Sequence, residues 1–170
     1  MSDTIYKKLA AHLDDLPGGF PATESGVELK ILRKLFTPEE AQLAVKLTLI
    51  PEEAHVIAHR FGGDKDEVAE KLREMSRKGL IYSIEKPGKP PLYMAVQYVV
   101  GIWEFHVNDL DEELVRLMNE YIPYLVDADA WKASPQLRTI PVSRSLDPGH
   151  QSLPYEDAAN LVKGHRRYAV

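Results

Sequence analysis

The chain has 170 residues, of which 44% are hydrophobic and 28% charged, a balance that excludes a disordered polymer and fits one domain with an appendage. With 26 acids against 21 bases the formal net charge is −5, so nucleic acid or anionic lipid would have to be met by a local basic patch. There is no cysteine, which excludes disulfides, thiolate metal sites and cysteine nucleophiles in the chain as given.

Apolar runs such as Met94–Val100 fall far short of the roughly 20 residues that span a bilayer. Lys7 and Lys8 are followed by polar, acidic sequence rather than the apolar core of a signal peptide, so a soluble cytoplasmic protein is expected. Charge is uneven along the chain. Residues 1–126 carry 15 bases and 21 acids (15 − 21 = −6), whereas residues 127–170 carry 6 and 5 (6 − 5 = +1). The second stretch also holds Pro135, Pro141, Pro148, Gly149 and Pro154. A folded region over 1–126 is expected, followed by an extended arm over 127–153, a short helix after Pro154, and a strand at Tyr168–Val170.

Ile5, Leu9, Leu13 and Leu16 predict a first amphipathic helix, which Pro17-Gly18-Gly19-Phe20-Pro21 interrupts. Val27, Ile31, Leu32 and Leu35 predict a second. Thr37-Pro38-Glu39-Glu40 combines a cap, a first-turn proline and a capping-box glutamate, and opens a third with Ala41, Ala44, Val45 and Leu47 inward. Pro51-Glu52-Glu53 reads as the start of a short helix carrying Ala54, Ile57, Ala58 and Phe61, ended by Gly62-Gly63. Asp64 and Glu67 form a second capping-box pattern ahead of helix 64–78, with Val68, Leu72 and Met75 inward and Gly79 at its end. Strands are predicted over Leu80–Lys86 and Leu92–Gln97 around a Pro87–Pro91 turn. Tyr98–His106 is apolar and aromatic, and Asn108 or Asp109 is the expected cap of a helix to Leu125. That helix carries Leu114, Leu117, Met118, Tyr121, Ile122 and Leu125 on one face, with Pro123 in its last turn.

The fold class is therefore mainly α with a small β-hairpin (α+β). The order helix, helix, glycine turn, helix, strand, tip, strand is that of a winged helix-turn-helix, with an additional C-terminal helix and an arm. Helix 64–78 lies where a recognition helix would lie. It carries five bases and five acids, a net of 5 − 5 = 0, so its central acids oppose phosphate. The residues of a partner or nucleic-acid face are Lys71, Arg73, Arg77 and Lys78, joined by Lys86 and Lys89 on the wing.

His55 and His59 stand four apart, with Glu52 three residues before His55, a spacing that would bring metal ligands to one helix face. The metalloprotease pattern fails, because Val56 occupies the position of its glutamate. Histidine pairs of this kind are far more often surface or core-edge residues. His12, His106, His150 and His165 lack ligand-like spacing. The chain has no phosphate-binding loop, dinucleotide glycine fingerprint or nucleophile elbow. The paired acids Glu39-Glu40, Glu52-Glu53 and Glu112-Glu113 fall in predicted first helical turns, where the helix dipole accounts for them. No enzyme activity is expected of the chain alone. Tyr93, Tyr98, Trp103 and Phe105 lack the interleaved cations of a stacking platform and read as core.

Several segments together carry a family resemblance: Leu49-Ile50-Pro51-Glu52-Glu53-Ala54, Glu70-Lys71-Leu72-Arg73-Glu74-Met75, Lys78-Gly79-Leu80-Ile81 and Val100-Gly101-Ile102-Trp103-Glu104-Phe105, with Leu153–Ala158 and Arg166–Val170 in the tail. The chain resembles the N-terminal winged-helix-like region of ferredoxin-type iron–sulfur proteins that carry two [4Fe–4S] clusters. The resemblance implies that the cluster domain and its cysteines follow this region, so no cluster ligand is carried over and the chain itself holds no cofactor. The expected role is an interaction or regulatory module in electron transfer, docking a protein partner or its own ferredoxin domain, with no membrane contact. The alternative is a DNA-binding transcriptional regulator using helix 64–78 and the wing, dimeric through helix 109–125.

Overall fold

The computed structural model describes residues 2–126 together with Asp157, Ala159, Asn160, Lys163 and Gly164. The chain divides into two compact units, Met1–Gln136 and Leu137–Val170. In the second, Asp157, Ala159, Asn160 and Lys163 are helical, and the Gly164 N–H donates to the Asn160 carbonyl at 3.0 Å. The sequence places a short helix there. The expected arm over 127–153 and strand at Tyr168–Val170 lie outside the described residues.

Among the described residues the first unit is mainly helical with a small three-stranded antiparallel sheet, an α+β architecture. Helix α1 (Ser2–Asp14) buries Tyr6, Leu9 and Leu13, and helix α2 (Val27–Leu35) buries Val27, Ile31 and Leu32. Helix α3 (Pro38–Ala44) begins with the predicted capping box. The Thr37 N–H donates to Glu40 Oε2 at 2.8 Å, and the Glu40 N–H donates to Thr37 Oγ1 at 3.2 Å. These bonds satisfy two of the donors that a helix start leaves open.

The next segment differs from expectation. Glu52–Glu53 is not helical but forms strand β1, paired antiparallel with Tyr93 and Leu92. The hairpin edge offers backbone partners that a lone first turn lacks, so Glu53 stays extended as the N-cap of α4 (Ala54–Phe61). Gly62 ends α4 at φ 84°. Helix α5 (Lys65–Arg77) then starts at Asp64, whose carboxylate accepts from Asp66 N at 2.9 Å and Glu67 N at 3.1 Å. Glu67 does not return the bond, so this cap is a simple one rather than the expected box. Val68, Leu72 and Met75 are buried as the helical spacing requires.

Gly79 fits twice over. Its φ of 75° is the left-handed conformation of a helix C-terminus, where the Leu80 N–H donates to the Met75 carbonyl at 3.0 Å. A Cβ there would also lie 2.6 Å from Cβ of Phe105.

Strands β2 (Tyr82–Ile84) and β3 (Leu92–Met94) pair antiparallel as predicted, giving the sheet order β1-β3-β2. Both are shorter than expected. Leu80 and Ile81 enter the core instead, and Ala95 leaves the hairpin by donating its N–H to the Thr48 carbonyl at 2.8 Å. The tip closes with a Lys89 N–H to Lys86 carbonyl bond of 3.1 Å across Pro87 and Gly88, whose φ is 71°. Proline then positive-φ glycine is the chemistry of a type II turn.

Tyr98–Ile102 is an irregular turn leading into the short helix α6 (Trp103–Phe105). Helix α7 (Glu112–Leu125) is capped by Asp111, which accepts from Leu114 N at 2.8 Å, rather than by Asn108 or Asp109. Its buried face is Leu114, Leu117, Met118, Tyr121 and Leu125, and it packs on α2 of the same chain. Ile122, expected on that face, is exposed. Phe20 packs against both Tyr98 and Tyr121, with ring centroids 4.8 and 5.0 Å away, and the two tyrosine rings are 6.1 Å apart. The Tyr121 hydroxyl donates to the Pro21 carbonyl at 3.0 Å. Burial pushes both tyrosine hydroxyls well above their ordinary pKa, so they stay neutral donors.

Candidate functional site: the cleft between α5 and the hairpin

The inward stripe of α5 fixes what its outer side presents. With Val68, Leu72 and Met75 in the core, Glu70, Glu74 and Arg77 are exposed, and Lys71 and Arg73 are half-buried. Opposite stands the hairpin tip, held out by the Pro87–Gly88 turn. Arg73, Glu85, Lys86, Pro87, Lys89 and Pro91 line an open cleft of about 490 Å³ between them. Three of the six predicted face residues, Arg73, Lys86 and Lys89, are thus brought to one cleft.

Their charge is partly spent. Arg73 pairs with Glu70 one turn earlier on α5, and Glu85 lies in the cleft wall. Both members of the Glu70–Arg73 pair reach solvent, so the pair does little for stability, yet it weakens the local attraction for phosphate.

Lys78 is drawn away from this group altogether. Its Nζ lies 2.5 Å from Oε1 of Glu40, a residue 5% exposed on α3. Burial pushes the Glu40 carboxyl up, but the Lys78 ammonium and the Thr37 N–H outweigh it, so the net pKa falls below the ordinary value. Lys78 therefore ties the end of α5 to α3. Glu40 was legible in the sequence only as a capping residue, because a partner 38 positions away leaves no local signal.

Of the candidate metal residues, Glu52 and His55 take up other partners. Glu52 lies in β1, off the helix that was to align it with His55, and Arg60 donates to it. His55 turns to Glu53, with Nδ1 3.2 Å from Oε2, and His59 is exposed further along α4. Among the described residues no three His, Asp or Glu side chains gather as a metal site. Of the paired acids, Glu39-Glu40 and Glu112-Glu113 do occupy first turns, whereas Glu52-Glu53 is a strand.

Two other histidines are structural in placement. His106 is buried, with Nδ1 2.7 Å from the Ile102 carbonyl. His12 has a buried Nε2 without a hydrogen-bond partner, and burial lowers its pKa against the opposing Leu47 carbonyl and Asp15.

Among the aromatic residues read as core, Tyr93 and Tyr98 are buried and Trp103 is half-buried. Phe105 departs from that reading: it is 43% exposed and stacks on exposed Tyr82, centroids 6.3 Å apart. Among the described residues no helix is long and apolar enough to cross a membrane. No protein-family model, curated protein or solved structure matches the chain.

Proposed function

We propose that this chain is a winged-helix-type docking module of a ferredoxin-type iron–sulfur electron-transfer system, cytoplasmic in setting, that binds a protein and carries out no chemistry itself. The winged-helix reading is supported by the order α4, Gly62-Gly63 turn, α5, β2, proline–glycine tip and β3. The observation that carries the docking role is the charge on α5: Arg73 is engaged by Glu70 and Lys78 by Glu40, leaving a mixed-sign surface. Mixed charge suits selective protein contact, whereas a DNA reader needs uncompensated cations along the phosphates. The iron–sulfur partner rests on the sequence resemblance, and its [4Fe–4S] clusters would belong to a separate cysteine-bearing domain.

A second reading, DNA binding, is favoured by one observation: Arg73, Lys86 and Lys89 share a cleft with a single acid, Glu85. An NMR titration of the isotopically labelled chain with a two-cluster [4Fe–4S] ferredoxin tests the first reading. Shifts confined to Arg73, Arg77, Lys86 and Lys89 and their neighbours are expected. An unchanged spectrum at saturating ferredoxin would overturn it.

A further inference from the structure

A second surface lies on other elements. Ile5 of α1, Val45 after α3 and Phe61 at the end of α4 are half-buried and floor an open groove of about 740 Å³. Lys8 and Lys46 stand on its rim, and its remaining lining residues, Thr4, Gln42 and Gly62, bring no acid. Neither lysine pairs with a carboxylate among the described residues. The nearby Arg60 is neutralised differently: it donates to the Lys46 carbonyl at 2.6 Å and to the Glu52 carboxylate. In a chain of net charge −5, an apolar floor with two ammonium groups and, among the described residues, neither an ion-pair partner for them nor an acid in the lining is a local reversal of sign.

We infer that this groove receives an acidic amphipathic helix from a partner protein. The charge complementarity is direct: Leu- or Phe-type side chains on the floor, with Glu or Asp beside Lys8 and Lys46. The lining comes from helices and the turns that follow them, and offers no strand edge to pair with. An occupant that satisfies its own backbone hydrogen bonds, as a helix does, therefore suits the groove. The volume is within the roughly 300–1,000 Å³ of ligand clefts, but the groove is open to solvent, which suits a segment rather than an enclosed small molecule. The groove shares no lining residue with the α5–hairpin cleft, so the two surfaces succeed or fail separately.

The probe is a short helical peptide with Leu on one face and Glu on the other, compared with the same peptide carrying Lys for Glu. The Glu peptide should bind the full chain and shift the resonances of Ile5, Val45 and Phe61, and its affinity should fall as salt rises. Lys8→Glu/Lys46→Glu should weaken it about tenfold or more, because two attractive rim contacts become repulsive. Both lysines are rim residues, and an unchanged melting temperature of that variant and of Lys8→Gln/Lys46→Gln shows that the fold is kept. Shifts elsewhere, equal binding of the two peptides, or wild-type affinity in the charge-reversed variant would each overturn the inference.

Discussion

Helix α7 is held to α2 and to the segment before it by contacts between residues far apart in the chain. Tyr121 reaches Pro21 across 100 positions, Ser25 reaches Glu120 across 95, and Lys34 reaches Glu113 across 79. The outer face of α5 and the hairpin tip are instead assembled from neighbours: Asp64 caps Asp66 and Glu67, Glu70 meets Arg73, and Lys86 turns onto Lys89. In the first arrangement stability rests on the buried rings of Phe20, Tyr98 and Tyr121, to which the exposed long-range bonds add little. The second sets charge and shape on a surface at little energetic cost. Substitutions in the buried rings of the α7 side should therefore destabilise the domain, and substitutions on the hairpin side should change what it binds.

The largest expected effect is at the ring cluster. Phe20→Ala leaves a void against Tyr98 and Tyr121 and should cost about 3–5 kcal/mol in urea unfolding. A loss under about 1 kcal/mol would mean that the α7 side is not held there.

Glu40→Ala comes next, at about 1–3 kcal/mol, because it removes both the capping-box bond and the Lys78 tie. Here pH sharpens the contrast. The folded pKa of Glu40 is depressed, so its contribution is complete above the ordinary glutamate value and is lost as pH falls through the folded value. Thermal melts from neutral pH downward should show a smaller acid loss in Glu40→Ala than in the wild type. Equal acid limbs would contradict the Glu40–Lys78 tie.

The smallest effect is expected from Lys34→Ala. Lys34 lies 2.7 Å from Asp111 and 2.8 Å from Glu113, and its ammonium pKa is raised by those hydrogen bonds. These groups face water, so the melting temperature should drop only slightly, and the difference from wild type should shrink in high salt. A large drop that shrinks in high salt would place real stability in the ion pairs rather than in the rings.

What the sequence reveals follows the same division. The Thr37 capping box, the Val68/Leu72/Met75 stripe, the Gly79 terminus and the Pro87–Gly88 turn are local patterns, and each is found where its spacing puts it. Contacts set by tertiary packing were not legible. Phe20 looked like part of a proline–glycine breaker, yet it is 1% exposed in the ring cluster. Glu52-Glu53 had the composition of a helix start, but a strand edge contributed from 40 residues further on claimed its backbone. Within the site, the face residues were legible as exposed cations on a helix and a turn. The diversion of Lys78 to Glu40 was not, because nothing near Lys78 announces a buried carboxylate on α3.

The central claim is that the α5–hairpin surface, with Arg73 partly spent on Glu70 and Lys78 drawn off to Glu40, docks protein rather than DNA. The most direct test is fluorescence anisotropy of a random-sequence duplex titrated with the full chain across a range of salt. The expected result is no saturable binding at physiological ionic strength. Saturable binding whose logarithmic affinity falls linearly with the logarithm of salt, and which Arg73→Glu/Lys89→Glu abolishes, would contradict it and favour the regulator.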